Sequence, residues 1–328
     1  VVREADRVAA RSISGDAVRA VFELTGSQPM SASRRDAHMG GHSTITLVGG
    51  SPRLLDACFE LAHRCERLWS RFILSSDITR LNWAEGATIA VDPLTVRLAT
   101  AMLSGFARTT GDFDPTLLPD LLAAGYTRSV VDPSRETTLP LSAKAPGEIA
   151  GMVIEDNAIT LPRGTTLDPG GIGKGLAADV VCEFALAEGA WGVMAEMGGD
   201  VVVAGDSPEA QGWRIGVEDP FQDEQYAAIV RLGTGAIATS SQLKRRWAAG
   251  QTEAHHLIDS RSRRSAVTDV QTVSVIAAQG WYAEVLTKPA FVRTPQDYLD
   301  WLPSVGAAGS LIDASGAMLE SANWRDYT

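Results

Sequence analysis

The segment Leu167-Asp168-Pro169-Gly170-Gly171-Ile172-Gly173-Lys174-Gly175 constrains this chain most, because four glycines fall within six residues directly ahead of an apolar-periodic run. Glycine lets the backbone approach a neighbour or a ligand closely. A helix that opens there offers free N–H groups and the positive end of its dipole to an anion, and Lys174 adds a point charge. The spacing predicts a helix from about Lys174 to Glu188. No Ser or Thr follows Gly173-Lys174, so this is not a Walker loop, and the third glycine of a dinucleotide fingerprint is missing. Two readings stand at this point: a phosphate cradle, or a tight turn before a buried helix.

Other elements follow from local chemistry. Ser51-Pro52 and Asp92-Pro93 each place a capping side chain before a proline at a first helical position. Behind the first, Leu54, Leu55, Cys58, Phe59, Ala62, Cys65, Leu68 and Trp69 recur at helical spacing. Val153 to Leu161 reads as a hairpin turning at Asp156-Asn157, and a series of short strands is predicted between Gly192 and Asp313, interrupted by a helix near Tyr282. Strands and helices come in blocks, which is α+β rather than regular βαβ alternation. Leu139 to Pro146 reads as a surface loop. Val1 to Arg35 reads as a poorly ordered N-terminal arm, with a single domain over residues 36–328.

A chain of 328 residues with 45% hydrophobic content can bury a sizeable core. Its 29 basic and 40 acidic residues leave a net charge of −11, which argues against bulk electrostatic binding of nucleic acid. No apolar run is long enough for a transmembrane helix. Cys58, Cys65 and Cys182 show neither metal spacing nor an even disulfide set and read as buried apolar residues. Unpaired thiols favour the cytoplasm; a leader removed ahead of Val1 would instead fit an exported form.

Several polar motifs remain. Met197-Gly198-Gly199-Asp200 reads as a hairpin turn or a backbone wall for a ligand, and Asp112-Phe113-Asp114-Pro115-Thr116 as an acidic turn. In His255-His256-Leu257-Ile258-Asp259 a histidine is either structural or an acid/base group. Thr239-Ser240-Ser241 lacks a nucleophile elbow, which argues against a serine hydrolase.

Taken in order, these blocks resemble the ApbE family, the FAD:protein FMN transferases, from about Met39 to Asp313. Met39-Gly40-Gly41 is similar to an early Met-Gly-Thr. Ser70-Arg71-Phe72 with Ser76 to Asn82, Phe113-Asp114-Pro115-Thr116 with Pro119, Asp168 to Gly175 with Asp179, and Gly198-Gly199-Asp200 are similar to further family blocks. So are Trp213 to Pro220, Ala236 to Ser240 and His256 to Asp259. The resemblance implies an α+β, ApbE-like fold related to the tandem T-fold, with two lobes around an FAD cleft. It places the pyrophosphate near Asp168 to Lys174, with Met39, Phe72, Asp112, Phe113, Asp114 and Leu257 along the rest of the cofactor. Phe72 stands where the family usually has Tyr.

The resemblance also implies Mg²⁺, held by a backbone carbonyl at Gly171 and by an Asp and a Thr four residues apart. Those two positions are Glu284 and Lys288 here. Glu284 is still a hard oxygen ligand, but a protonated Lys288 cannot ligate a cation. Either Mg²⁺ binds through Glu284, or the ammonium pairs with Glu284 or takes over part of the cation's work on the pyrophosphate. A surface ion pair at this helical spacing is the bland alternative. The expected reaction moves FMN from FAD to a Ser or Thr hydroxyl of an acceptor flavoprotein and releases AMP. His256 would take the hydroxyl proton, and Lys174 would neutralise phosphate charge. The alternatives are FAD hydrolysis to FMN and AMP, and a non-catalytic FAD-binding protein.

Overall fold

The computed structural model describes residues 30–209, 211–249 and 252–328. Of the expected N-terminal arm, residues 1–29 lie outside that range. Residues 31–35, also assigned to the arm, instead form the first half of a strand.

The described chain opens with β1 (Ser31–His38) and β2 (Gly41–Val48), then α1 (Pro52–Trp69), α2 (Asp77–Asn82), β3 (Thr88–Ala90), α3 (Pro93–Arg108) and α4 (Leu118–Ala123). The hairpin β4 (Val153–Glu155) and β5 (Ala158–Thr160) precedes α5 (Gly173–Ala187). Strands β6 (Gly192–Met197), β7 (Asp200–Gly205), β8 (Trp213–Glu218), β9 (Tyr226–Leu232) and β10 (Gly235–Ser241) follow. Two short pairs come next, β11 (Arg246–Ala249) with β12 (Thr252–His255) and β13 (Ile258–Asp259) with β14 (Arg264–Ser265). The chain ends through β15 (Val270–Ala277), α6 (Gly280–Leu286), α7 (Pro295–Trp301), β16 (Ala308–Asp313) and β17 (Met318–Glu320). Both predicted proline-led helices are capped as their sequences require: Ser51 and Asp92 accept backbone N–H bonds from Leu54 and Leu94.

Eight strands make one antiparallel sheet in the order β1-β2-β6-β7-β10-β15-β16-β17. Successive side chains on a strand point to opposite faces, and the sheet is covered on both. Val202, Ala236, Ala238, Val273 and Val275 face helices α1, α5 and α6. Val201, Val203, Ile237 and Ile276 face the β8–β9 hairpin, where Trp213, Ile215 and Val230 close the opposite core. A third cluster joins α1, α2 and α3 to Leu167, Ile172 and Leu176. Helix α1 serves two of these clusters, with Cys58 and Phe59 in one and Cys65 and Trp69 in the other. Burial pushes the Cys58 and Cys65 thiols up to about 11 and about 12, which removes them from redox chemistry. Among the described residues no helix is long and apolar enough to cross a membrane.

Helices α5 and α6 meet at two glycines. A Cβ at Gly175 would lie 2.2 Å from the Gly280 carbonyl oxygen, and one at Gly280 would lie 2.4 Å from that of Gly175. Each helix also holds the other's N-terminus. Asp179 of α5 accepts the N–H groups of Gly280 (2.7 Å) and Trp281 (2.9 Å), and Glu284 of α6 accepts the Gly175 N–H (2.9 Å). Carboxylates at helix N-termini satisfy donors that the helix itself leaves free.

Gly175→Ala is expected to push the helices apart and to cost roughly 1–3 kcal/mol of stability by overpacking, read as a lower thermal midpoint in circular dichroism. Asp179→Ala strands two buried donors and is expected to cost about 2–4 kcal/mol in the same measurement.

Candidate active site

The first turn of α5 and Glu284 of α6 line a cleft of about 300 Å³, the size range of small-ligand sites. The residues given catalytic, cofactor or metal roles from the sequence all line it: Met39, Phe72, Asp112, Phe113, Asp114, Asp168, Gly171, Lys174, His256, Leu257, Glu284 and Lys288. They arrive from separate elements. Met39 sits in the β1–β2 turn at φ 46°, its N–H bound to Glu66 of α1. Phe72 follows α1. The Asp112 turn follows α3, and Lys174 lies in the first turn of α5. Lys288 lies just beyond α6. The glycine block is tied to its surroundings at two points. Asn82 clamps both backbone groups of Leu167 at 2.7 and 2.9 Å, and the Asp168 N–H donates to the Pro115 carbonyl at 2.8 Å.

Three features depart from the sequence reading. First, the helix N-terminus expected to receive an anion already holds one, since Glu284 Oε2 takes the Gly175 N–H. Second, the Asp112 carboxylate pairs with Arg261 at 3.0 Å and Arg293 at 2.5 Å. It is 5% exposed and braces the cleft wall, each of its oxygens already holding one guanidinium. Asp114 uses one oxygen, Oδ1, to accept from the Thr116 N–H and hydroxyl at 2.8 and 2.6 Å. Burial pushes its carboxyl up against those bonds. Third, a residue the sequence reading passed over, Arg71, is buried in the wall. Its guanidinium stands 4.1 Å from the Phe72 ring and 4.8 Å from the Tyr126 ring, and 3.6 Å from Asp168. Tyr126 in turn stacks on Trp247 at 5.5 Å. A lone Arg inside a motif looks in sequence like any surface charge; the adjacent aromatic was the available signal.

The charged centre consists of two ammonium groups and two carboxylates. Lys174 Nζ pairs with Asp200 and, at 2.8 Å, with Glu284. Burial alone would push Lys174 down, but the two carboxylates outweigh it and hold the group well above the ordinary lysine value. Asp200 is pushed up by burial and pulled back by Lys174. Lys288 Nζ donates to the Glu284 carbonyl (3.0 Å), Ser240 Oγ (3.1 Å) and Thr287 Oγ1 (2.9 Å). Burial lowers it to about 8. Its stem lies along the glycine block, where a Cβ on Gly171 would be 3.0 Å from Lys288 Cε.

This centre does not fit a divalent cation. The charges already balance, and the ammonium sits among the oxygens a hard cation would use. A dication about 4 Å from an ammonium is repelled by on the order of 8 kcal/mol at an effective dielectric near 20. Elsewhere, His38, His63 and Glu66 bring potential ligand atoms together. Both His38 nitrogens are committed, however, to the Ala62 carbonyl at 2.6 Å and to Ser43 Oγ at 3.3 Å.

His256 has a different character. Its Nδ1 is buried with no partner among the described residues. Burial, together with the nearby charges of Arg245 and Lys288, lowers the imidazole to about 3. At neutral pH it is an uncharged acceptor and a weak base. The neighbouring His255 is structural, bound through Nε2 to the Ala266 carbonyl at 3.0 Å.

Comparison with known proteins gives a consistent result. The chain is 27% identical over 255 residues to the FAD:protein FMN transferase of Treponema pallidum, covering 73% of this chain and 70% of that one. It is 27% identical to the Vibrio cholerae FAD:protein FMN transferase over 63% of each chain. The solved ApbE protein of Thermotoga maritima superposes with a TM-score of 0.79 at 25% identity, covering 91% of this chain and 99% of that one. The apo flavinyl transferase ApbE of Pseudomonas stutzeri shares the fold, with a TM-score of 0.75 at 21% identity over 91% of this chain and 97% of its own. The ApbE family model itself matches residues 39–309, most of the chain and every cleft residue named above, and the protein therefore belongs to the ApbE family.

Proposed function

We propose that the protein transfers FMN from FAD to a Ser or Thr hydroxyl of an acceptor protein. The observation that carries this reading is the meeting, in one cleft, of an aromatic wall, a glycine-rich block, two lysine ammonium groups and a buried imidazole nitrogen without a partner among the described residues. The hydroxyl oxygen attacks the FMN-side phosphorus. A phosphorus–oxygen bond of the pyrophosphate breaks, AMP leaves with the bridging oxygen, and the hydroxyl proton passes to solvent. Such transfers depend on alignment and on neutralising charge more than on covalent chemistry by the enzyme.

The roles follow from the geometry. Phe72, with Arg71 behind it, forms an aromatic wall for a ring system, while Met39, Phe113 and Leu257 supply apolar surface. Asp168 lies at the rim beside Arg71 and orients the glycine block. Lys174 and Lys288 set a positive potential beside the pyrophosphate. His256 accepts a hydrogen bond from the attacking hydroxyl and aims it; its low basicity makes it a poor store for the proton. The acceptor's motif is of the Asp-Gly-Ser/Thr-x-x-Ser/Thr-Gly/Ala-Thr kind implied by the family resemblance. The relation to the tandem T-fold and the division into two lobes belong to this proposal too, supported by separate hydrophobic clusters on either side of the cleft.

Incubation of the protein with FAD and a peptide bearing that motif is expected to give AMP and flavin-labelled peptide in equal amounts, by chromatography and mass spectrometry. AMP with free FMN and unlabelled peptide would make the protein a hydrolase, and intact FAD in every condition would remove the catalytic reading. Phe72→Ala is expected to weaken FAD binding about 5–10-fold, the worth of one aromatic contact, with little effect on the melting curve of the free protein. His256→Ala is expected to slow transfer at saturating FAD while FAD affinity stays within about threefold.

A further inference from the structure

The charged centre holds an ammonium group where a divalent cation was expected. We propose that the Lys288 ammonium is a built-in cation: FAD binding and FMN transfer in this protein proceed without a divalent metal, and Lys288 occupies the position a metal would take. This inference rests on the transferase reading but concerns what supplies the positive charge.

Three observations support it. The first is the donor set. Lys288 Nζ is surrounded by a backbone carbonyl and two hydroxyl oxygens at 2.9–3.1 Å, and Ser240 Oγ and Thr287 Oγ1 are themselves 2.7 Å apart. Neutral oxygens converging on one point form a nest for a hard cation. An ammonium, with three donors and no acceptor, fills it completely.

The second observation is charge. Glu284, the one carboxylate that would be left for a metal, is 2% exposed and already spent: Oε1 on Lys174 and Oε2 on the Gly175 N–H. Asp200, 1% exposed, is held by Lys174 and by the Thr239 N–H at 3.2 Å. Each carboxylate oxygen of Glu284 and Asp200 therefore has an ammonium or N–H partner, and a metal would have to compete with that partner for it.

The third observation is position. Lys288 lies against Gly171 and within the same cleft wall as Ser240, Gly170 and His256. The ammonium therefore faces the space beside the glycine block. A phosphate oxygen arriving there exchanges for one of the two hydroxyls, which keep each other and the Glu284 carbonyl as partners, and the site needs no new ion. The lysine is thus matched to an anionic group as its ligand, with the charge supplied by the chain.

The test uses the full chain, Mn²⁺ as the metal probe, FAD as the ligand and, for AMP release, the acceptor-motif peptide. Mn²⁺ occupancy is read by electron paramagnetic resonance, FAD affinity by titration calorimetry, and AMP release by chromatography. The wild-type protein is expected to bind no stoichiometric Mn²⁺ in the presence of FAD, and its FAD affinity and AMP release are expected to change by less than twofold between EDTA and excess Mg²⁺. Lys288→Thr is expected to bind one Mn²⁺ and to show FAD affinity at least tenfold weaker in EDTA than with Mg²⁺. Lys288→Met removes the charge without adding an oxygen ligand and is expected to bind FAD more than tenfold more weakly under both conditions.

Stoichiometric Mn²⁺ in the wild type, or a tenfold loss of FAD affinity in EDTA, overturns the proposal. Retention of full affinity by Lys288→Met in EDTA also overturns it, because the ammonium would then be doing nothing. Should Lys288→Thr fail to fold by circular dichroism, the wild-type measurements decide alone. FAD that binds equally well with and without metal, yet yields no AMP with the peptide under any condition, sinks the transferase reading and leaves the assignment of Lys288 as the cation for FAD binding standing, so the two fail separately.

Discussion

Helices α5 and α6 cross without room for a single side chain between Gly175 and Gly280, and each lends the other a carboxylate. The charged floor of the cleft follows from that contact. Because the backbones touch, Glu284 reaches the first turn of α5, where it meets both a backbone N–H and Lys174. Because Asp179 fixes the start of α6, the helix ends where Lys288 can enter a pocket built by β10 and Thr287. The sheet supplies the remaining member, Asp200, at the start of β7 behind two glycines with positive φ.

The resulting cluster is buried yet balanced. Lys174 pairs with both carboxylates and Lys288 is held by three neutral oxygens, so every charge has the partners under which charges survive away from water. Removing one member would strand its partners, so the cluster resists piecemeal change and fixes the relative placement of the helices. The opposite wall is built differently, from Phe72, Tyr126 and Trp247 with a guanidinium between the first two. A ligand with a flat aromatic end and a charged middle matches that division of labour.

Much of this was legible in the sequence. The capped helices, the Asp156-Asn157 hairpin, the strand series after Gly192 and the helix near Tyr282 all carry strong local signals, and the α+β class followed from their order. Strand β1 was missed because Ser31–His38 is largely polar and half exposed along its length, so no apolar alternation marks it. The cleft residues were found through motif order, but their partners were not. Nothing in spacing says that Asp112 meets Arg261 and Arg293, each far along the chain, or that the helix start meant for an anion is filled by Glu284. Such pairings are decided by tertiary packing. Lys288 was visible as a mismatch; only the structure surrounds it with three oxygens.

That lysine also changes what kind of quantity the site's charge is. A metal ion has a dissociation constant, competes with other ions and rises and falls in occupancy with supply. A side chain tethered four carbons from the backbone has none of these properties: it is present in every molecule from the moment the chain folds, at a local concentration no solution ion attains. It carries one charge where Mg²⁺ carries two, and in exchange the cleft is freed from competition among divalent ions for its oxygens.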